Sequence, residues 1–246
     1  MAAGKGTRMK SELAKVLHPL LSRPMIEYVI DVAKSLQPEK IVLIVGHQAD
    51  AVKASTQGAG VEYALQSPQL GTGHAVMQTE PALANFNGNV LVLSGDAPLV
   101  TTSTLEKLLL HHRTKQAVAT VLTARLEDPT GYGRVIRSAD GKCIIKMVEH
   151  KDASPEERAV NEINSGIYVF KKRELFEALK RIKNDNAQQE YYLPDVFNIF
   201  LAEGLPVVAL MTQTFEEICG VNTPEQLREA EAILKRRIAQ QSTVES

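Results

Sequence analysis

Apolar positions change period along the chain in a way that separates helices from strands. Ile26, Val29, Ile30, Ala33 and Leu36 recur at helical spacing and predict an amphipathic helix over 24–36. Pro38 follows its end, and 41–45 is then a short, wholly apolar, β-branched run closed by Gly46. A second helical pattern at 50–55 leads to a strand at 61–65, and 73–83 reads as helix. The buried strand 90–93 ends on Ser94-Gly95-Asp96-Ala97-Pro98; helix 102–112 and strand 117–124 follow. Strands apolar throughout and alternating with helices predict an α/β fold: a Rossmann-like, mostly parallel sheet with helices on both faces. Ligands of such sheets sit beyond the carboxyl ends of strands, where the Gly95-Asp96 pair falls.

From about Glu127 to Val169 turn residues and charge become dense, with strand candidates at 135–137, 143–148 and 166–170. That texture predicts a smaller antiparallel β extension over 127–170. Helix 172–183 and strand 207–210 return to the first pattern. Asn222-Thr223-Pro224 then opens a helix, with Thr223 as N-cap and Pro224 in the first turn. Leu227, Ala230, Leu234 and Ile238 are expected to face the protein body, and the polar tail 240–246 to fray. The expected division is a body over 1–222 that includes the extension, followed by a C-terminal helix and tail over 223–246.

With 246 residues, 44% hydrophobic and 23% charged, the chain can bury a substantial core. A net charge of −1 leaves no electrostatic footprint for nucleic acid or an anionic membrane. No apolar run approaches a membrane span and no signal-peptide pattern opens the chain, so a cytoplasmic protein is expected. Cys143 and Cys219 have no metal or redox spacing and read as packing residues, and the six histidines form no ligand set.

The densest chemistry lies at the start: Met1-Ala2-Ala3-Gly4-Lys5-Gly6-Thr7-Arg8-Met9, then Lys15-Val16-Leu17-His18. Small residues and glycines let backbone amides approach phosphate oxygens, and Arg8 and Lys15 add charge for a polyanion. The spacing is neither a P-loop nor the G-x-G-x-x-G dinucleotide fingerprint. Taken alone, Gly4–Thr7 reads more readily as a glycine turn with solvated cations.

The wider pattern A-A-G-x-G-T-R-M followed by K-V-L-H is similar to the signature of sugar-1-phosphate nucleotidyltransferases. Further blocks follow in order: Gln66 with Leu70-Gly71-Thr72-Gly73-His74-Ala75, Asp128-Pro129-Thr130-Gly131-Tyr132-Gly133-Arg134, and Val148-Glu149-His150-Lys151-Asp152-Ala153. Glu162-Ile163-Asn164-Ser165-Gly166, Asn186-Ala187-Gln188 with Glu190-Tyr191-Tyr192, and Gly220-Val221-Asn222 complete the set. Together they resemble the uridylyltransferase domain of the bacterial bifunctional N-acetylglucosamine-1-phosphate uridylyltransferases. The resemblance implies the nucleotide-diphospho-sugar transferase fold, UTP and N-acetylglucosamine 1-phosphate as substrates, and Mg²⁺ as cofactor.

By this resemblance Arg8, Lys15 and Asp96 are catalytic, and Asp96 and Asn222 hold the metal. Met1, Ala2, Ala3, Gly4, Gly6, Thr7, Lys15, Gln66, Gly71 and Thr72 bind the nucleotide; Ser94, Gly133, Glu149, Asn164 and Asn222 contact the sugar. A carboxylate at a strand end suits a hard cation, and an amide such as Gln66 can meet both donor and acceptor on a uracil edge. Other sugar nucleotidyltransferases and a non-catalytic sugar-nucleotide sensor are the competing readings.

The chain departs from the family pattern at Ala14, where proline is usual, and at Ser94, where an aromatic residue is common. The signature also normally follows a buried central strand, so two unpaired neighbouring strands and an exposed strip of core are expected here. The bifunctional relatives carry a hexapeptide-repeat β-helix with acetyltransferase activity. No such repeat occurs in these 246 residues, so neither that activity nor the β-helix's trimer is expected of them, and a monomer is.

Overall fold

The structure, a computed structural model, describes the backbone of residues 1–244 and the side chains of 1–240. After short 3₁₀ turns at Thr7–Met9 and Lys15–Leu17, a minimal hairpin β1 (Pro19–Leu20) and β2 (Arg23–Pro24) leads into α1 (Met25–Ser35). Then come β3 (Val42–Val45), α2 (Ala49–Ser55), β4 (Glu62–Leu65), α3 (Thr72–Met77) and β5 (Asn89–Val92). The middle of the chain supplies α4 (Thr102–Thr114), β6 (Ala119–Arg125), β7 (Arg134–Arg137), β8 (Ile144–Val148), α5 (Pro155–Arg158) and β9 (Glu162–Lys171). The last part holds α6 (Lys172–Leu179), α7 (Asp195–Ala202), β10 (Val207–Met211), a 3₁₀ turn at Phe215–Ile218 and α8 (Pro224–Val244).

The largest sheet has the order β10-β6-β9-β7-β8, with β5 also paired to β9. β10 and β6 run parallel, as do β3 and β4 in a second, two-stranded sheet. β9 runs antiparallel to β5, β6 and β7. This strand is twice as long as its sequence pattern indicated. Glu162, Asn164 and Ser165 look like loop residues, yet they belong to the first half of one continuous strand. The second half, Tyr168–Lys171, pairs with β5 in the central sheet, so β9 joins the expected extension to the body.

Alternating side chains on β9 divide the core. Ile167 and Val169 pack with Leu105 and Leu108 of α4, whereas Tyr168 and Phe170 pack with Phe176 of α6 and Phe197 of α7. β6 is buried from Ala119 to Ala124, Thr120 and Thr123 included, as expected of a strand covered on both faces. The helix read at 73–83 ends at Met77 and continues as turns: Pro81 has no N–H to donate, and the Thr79 hydroxyl returns to the Val76 carbonyl at 2.7 Å. α6 likewise stops at Leu179, short of 183. Helix α7 lacked a sequence signal because Val196, Phe197, Ile199, Phe200 and Leu201 leave little polar face to reveal its period. On α8, Ala230 is buried with Leu227 and Leu234 against it, but Ile238 is 47% exposed. The tail expected to fray from 240 is helical to Val244; Glu245 and Ser246 lie outside the described residues.

Residues 1–3 form the only bridge between β3 and β5 among the described residues. Ala2 pairs in parallel with Val45 and donates to the Ile44 carbonyl at 2.8 Å. On the other side the Met1 ammonium donates to the Leu93 carbonyl at 2.7 Å, and the Gly95 amide donates to the Met1 carbonyl at 2.8 Å. Beyond Met1, β3 and β5 face one another across an apolar slot of about 300 Å³ lined by Ile30, Val42, Leu43, Leu83, Val90 and Leu91. The two unpaired neighbours expected from the sequence are these strand edges.

Burial pushes the Met1 amine down to about 6, against the opposing pull of the Asp96 charge. The unfolded chain, with its amine near an ordinary value of about 8, therefore holds more protons than the folded chain between those two values, and stability rises with pH through that window. On protein whose mass shows Met1 retained, denaturant unfolding should show the amine adding about 2 kcal/mol between pH 6 and pH 8. Nα-acetylated protein should lack that increment; the same rise in both forms would refute it.

Candidate active site

Four side chains from distant parts of the chain meet beyond the carboxyl end of β5. The Lys15 ammonium donates to the Asp96 carboxylate and, at 3.1 Å, to Asn222 Oδ1. Arg8 Nη2 donates to the same Asn222 oxygen at 2.9 Å. Each partner is held by local structure. Gly6 adopts a left-handed φ of +61°, and a Cβ there would lie 2.5 Å from Lys15 Cβ, so the first loop closes on Lys15 only with glycine. Asp96 follows Gly95, whose amide is bound to Met1, and the Asp96 carbonyl accepts from the Val221 amide at 2.7 Å. That bond brings the 220–222 loop to the carboxylate. Thr223 caps α8 as expected, accepting from the Gln226 amide at 3.2 Å, while Gln226 Oε1 receives the Asn222 and Thr223 amides at 2.8 and 3.2 Å. Gln226 was not singled out in the sequence, though Thr-x-x-Gln is a capping signature.

Two cations against one carboxylate leave this corner with excess positive charge, suited to an anion. The Lys15 ammonium bridges Asp96 and Asn222, so a cation already fits between those two oxygens. Among the described residues no group of three His, Cys, Asp or Glu could cage a metal. A hard divalent ion here would take Asp96 and Asn222 and complete its shell with phosphate and water oxygens, the usual arrangement for Mg²⁺.

A second group lies beside β4. Gln66 is buried, and its side-chain amide donates to the Gly71 carbonyl at 2.9 Å and lies 3.3 Å from His74 Nδ1. Gly71 has φ +103° and precedes α3. The Thr72 hydroxyl accepts from the Leu193 amide at 3.0 Å, and Tyr191 exchanges backbone bonds with Leu70 and Gly73 at 2.8 and 2.7 Å. The Asn186–Tyr192 block is thereby the outer wall of the Gln66 loop. Ala3 approaches this group across Gly46, where a Cβ would lie 2.8 Å from both Ala3 Cβ and Gln69 Nε2.

Gly133, Glu149 and Asn164 form the third group. The Gly133 carbonyl accepts from the Asn164 amide at 2.9 Å, and a Cβ at Gly133 would lie 3.4 Å from Glu149 Oε2. Asn164 Nδ2 donates to the Tyr168 hydroxyl at 2.7 Å; this buried phenol, four residues on along β9, was missed in the sequence. Burial, reinforced by Asp195, Asp152 and Glu190, pushes the Glu149 carboxyl up to about 7. Ser94 Oγ lies 3.4 Å from the Cβ position of Gly166, which connects this group to the Asp96 corner. Tyr132 lies between them: burial, then the charges of Cys219 and Asp96, push its phenol up to about 12.

The candidate residues are thus brought together, with two qualifications of role. Met1 and Ala2 have their backbone groups engaged in the sheet, and Ala2 is buried. Gly4 and Thr7 are exposed, with open space around a Cβ at Gly4, whereas Gly6 is half-buried against Lys15.

An α/β sheet with a cation-rich corner at a strand end fits the class of enzymes that handle phosphorylated ligands. More particularly, the chain belongs to the nucleotidyl transferase family, whose profile matches residues 1–238. It is 53% identical over 237 residues to the bifunctional protein GlmU of Exiguobacterium sibiricum, covering 96% of this chain and 52% of that protein. It is 52% identical over 238 residues to bifunctional protein GlmU of Bacillus subtilis, covering 97% and 52%. The chain therefore spans about half the length of these relatives. Among solved structures, UDP-glucose pyrophosphorylase complexed with UDP-glucose superposes with a TM-score of 0.72 at 19% identity, covering 96% and 97% of the two chains. A putative glucose-1-phosphate thymidylyltransferase from Bacillus anthracis gives 0.71 at 24%, covering 94% and 92%. These two likenesses carry the fold alone. No helix among the described residues is long and apolar enough to cross a membrane.

Gly71 provides a test of the Gln66 wall. A Cβ there would sit 2.6 Å from the Tyr191 carbonyl oxygen and 2.8 Å from Glu190 Cβ, in a backbone conformation that L side chains rarely adopt. Gly71→Ala should cost about 2 to 4 kcal/mol in denaturant unfolding. Unchanged stability would mean that the 191 segment does not close on the loop.

Proposed function

We propose that the chain is a Mg²⁺-dependent uridylyltransferase that makes UDP-N-acetylglucosamine and pyrophosphate from UTP and N-acetylglucosamine 1-phosphate. The observation that carries the reading is the meeting of Arg8, Lys15, Asp96 and Asn222 at the end of β5, beside the pocket of Gly133, Glu149 and Asn164. The identity to the GlmU proteins over nearly all of this chain supports it.

In the reaction a phosphate oxygen of the sugar attacks the α-phosphorus of UTP, and the bond to the β-phosphate oxygen breaks. The electron pair leaves with pyrophosphate. The attacking phosphate is already an anion, so no strong base is required. The task is to align two anions and to neutralise charge on the leaving group. Arg8 and Lys15 hold the triphosphate, and Lys15 turns from Asp96 towards the phosphates as the substrate enters. Asp96 and Asn222 would hold the Mg²⁺, which supplies charge neutralisation at the phosphates when bound. The amides of Gly4, Gly6 and Thr7 face the phosphate chain. Gln66, with Gly71 and Thr72 at the start of α3, reads the uracil edge. Glu149 accepts from sugar hydroxyls, Asn164 pairs in both directions, and Gly133 and Ser94 let the sugar approach.

Pyrophosphate release should be measured across UTP, dTTP and CTP against N-acetylglucosamine 1-phosphate, glucose 1-phosphate and galactose 1-phosphate, with and without Mg²⁺. UTP with N-acetylglucosamine 1-phosphate should exceed every other pair by at least roughly 10-fold in kcat/KM, a difference of about 1.4 kcal/mol. A larger response to dTTP or glucose 1-phosphate would reassign the specificity. Binding of UDP-N-acetylglucosamine without turnover would make the chain a sensor.

A further inference from the structure

Arg134, the first residue of β7, is 1% exposed, and no carboxylate forms an ion pair with it among the described residues. Its guanidinium instead grips two backbone carbonyls. Nη1 donates to Tyr132, and Nη2 donates to Arg158 at 3.2 Å. Its Nε has no partner. Burial lowers its pKa, with the Asp128 charge opposing. A cation buried with so little compensation is costly, and removing it for an apolar residue often stabilises a protein. Its retention here is therefore best explained by what it holds.

The first carbonyl is that of the residue before Gly133. Gly133 is thus bracketed: the Tyr132 carbonyl is tied to Arg134, and its own carbonyl is tied to Asn164. The second carbonyl is that of Arg158, at the end of α5, and Arg158 passes the connection on. Its Nε donates to the His150 carbonyl at 3.2 Å and its Nη2 to the Lys151 carbonyl at 3.3 Å, the two residues after Glu149. α5 is itself anchored. Ser154 and Glu157 form a reciprocal capping box, and Glu157 pairs with Lys146 of β8 at 2.6 Å. Two arginines in series therefore hold the backbone beside Gly133 and the backbone that follows Glu149.

We propose that Arg134 and Arg158 are positioning residues for the sugar-phosphate subsite: they hold the Glu149 carboxyl in register with Gly133 and Asn164. This rests on the reading of those three residues as sugar contacts. The relay predicts an effect on one substrate only, because the Gln66 and Arg8 groups lie on other loops. Displacing a hydrogen-bonding carboxyl by a fraction of an ångström weakens sugar binding and leaves nucleotide binding intact.

The test uses Arg158→Gln, an exposed position whose loss does not threaten folding, and Arg134→Lys, which keeps the charge but cannot span both carbonyls. Arg158→Gln should raise KM for N-acetylglucosamine 1-phosphate about 5-fold and Arg134→Lys at least 10-fold. KM for UTP should stay within about 2-fold in both, and Arg158→Lys should not restore the subsite. Amide hydrogen exchange should accelerate across 149–153 in Arg158→Gln and remain as in the wild type across 66–72. Equal changes in both KM values, or in neither, would overturn the proposal, as would unchanged exchange at 149–153. If Arg134→Lys fails to fold, Arg158→Gln decides alone. The exchange measurement needs no turnover, so a relay that is absent is distinguishable from an enzyme that acts on a different sugar.

Discussion

The structure is organised around one ionic contact, the Lys15 ammonium shared between the Asp96 carboxylate and the Asn222 amide oxygen. It joins the first loop, the end of β5 and the start of α8, segments separated by 81 and 207 positions in sequence. The side chains of Lys15 and Asp96 are only 16% and 18% exposed, so each has lost much of its water and each depends on the other. Arg8 adds a second cation to the same oxygen. Such a cluster is a weak source of stability but a strong constraint on function, because excess positive charge in a partly dry corner favours an incoming polyanion.

The rest of the fold serves to present that corner. The Ala2 and Met1 backbone bonds set the first loop against β3 and β5, and Gly6 lets it close on Lys15. The Asp96 carbonyl and the Gln226 capping box fix the Asn222 loop from the other side. β9 carries the arrangement outward: its second half pairs with β5 in the central sheet, and its first half presents Asn164 to Gly133 and Glu149. Tyr168 belongs to both parts, packing against Phe170 and Phe197 in the core while its hydroxyl receives Asn164 Nδ2. β9 thus joins β5, which leads to Asp96, and β7, which follows Gly133, in one sheet.

Much of this was legible in the sequence, for identifiable reasons. Strand β3 and the 90–93 run are wholly apolar, β6 is interrupted before Arg125 only by the buried Thr120 and Thr123, and α1 and α4 have polar faces that reveal their period. β9 was half read because a strand that lines a polar pocket carries Glu162, Asn164 and Ser165 where a core strand carries valine. Helix α7 was invisible because burial on nearly every side removed its polar face. The convergence of Arg8, Lys15, Asp96 and Asn222 cannot be read from spacing at all; it followed from resemblance to a family, and the geometry supplies its physical basis. Arg134 and Tyr168 look in sequence like an ordinary strand cation and a core aromatic. Only their partners, two backbone carbonyls and a buried amide, set them apart from that ordinary reading.

The proposed function requires that Asp96 and Asn222 hold a divalent cation once Lys15 turns onto the nucleotide. Anomalous diffraction from crystals soaked with Mn²⁺ and UTP tests it most directly. A manganese peak within coordination distance of Asp96 and Asn222, with Lys15 turned onto the triphosphate, is the predicted result. Nucleotide bound with the Lys15–Asp96 contact intact and manganese elsewhere would contradict it.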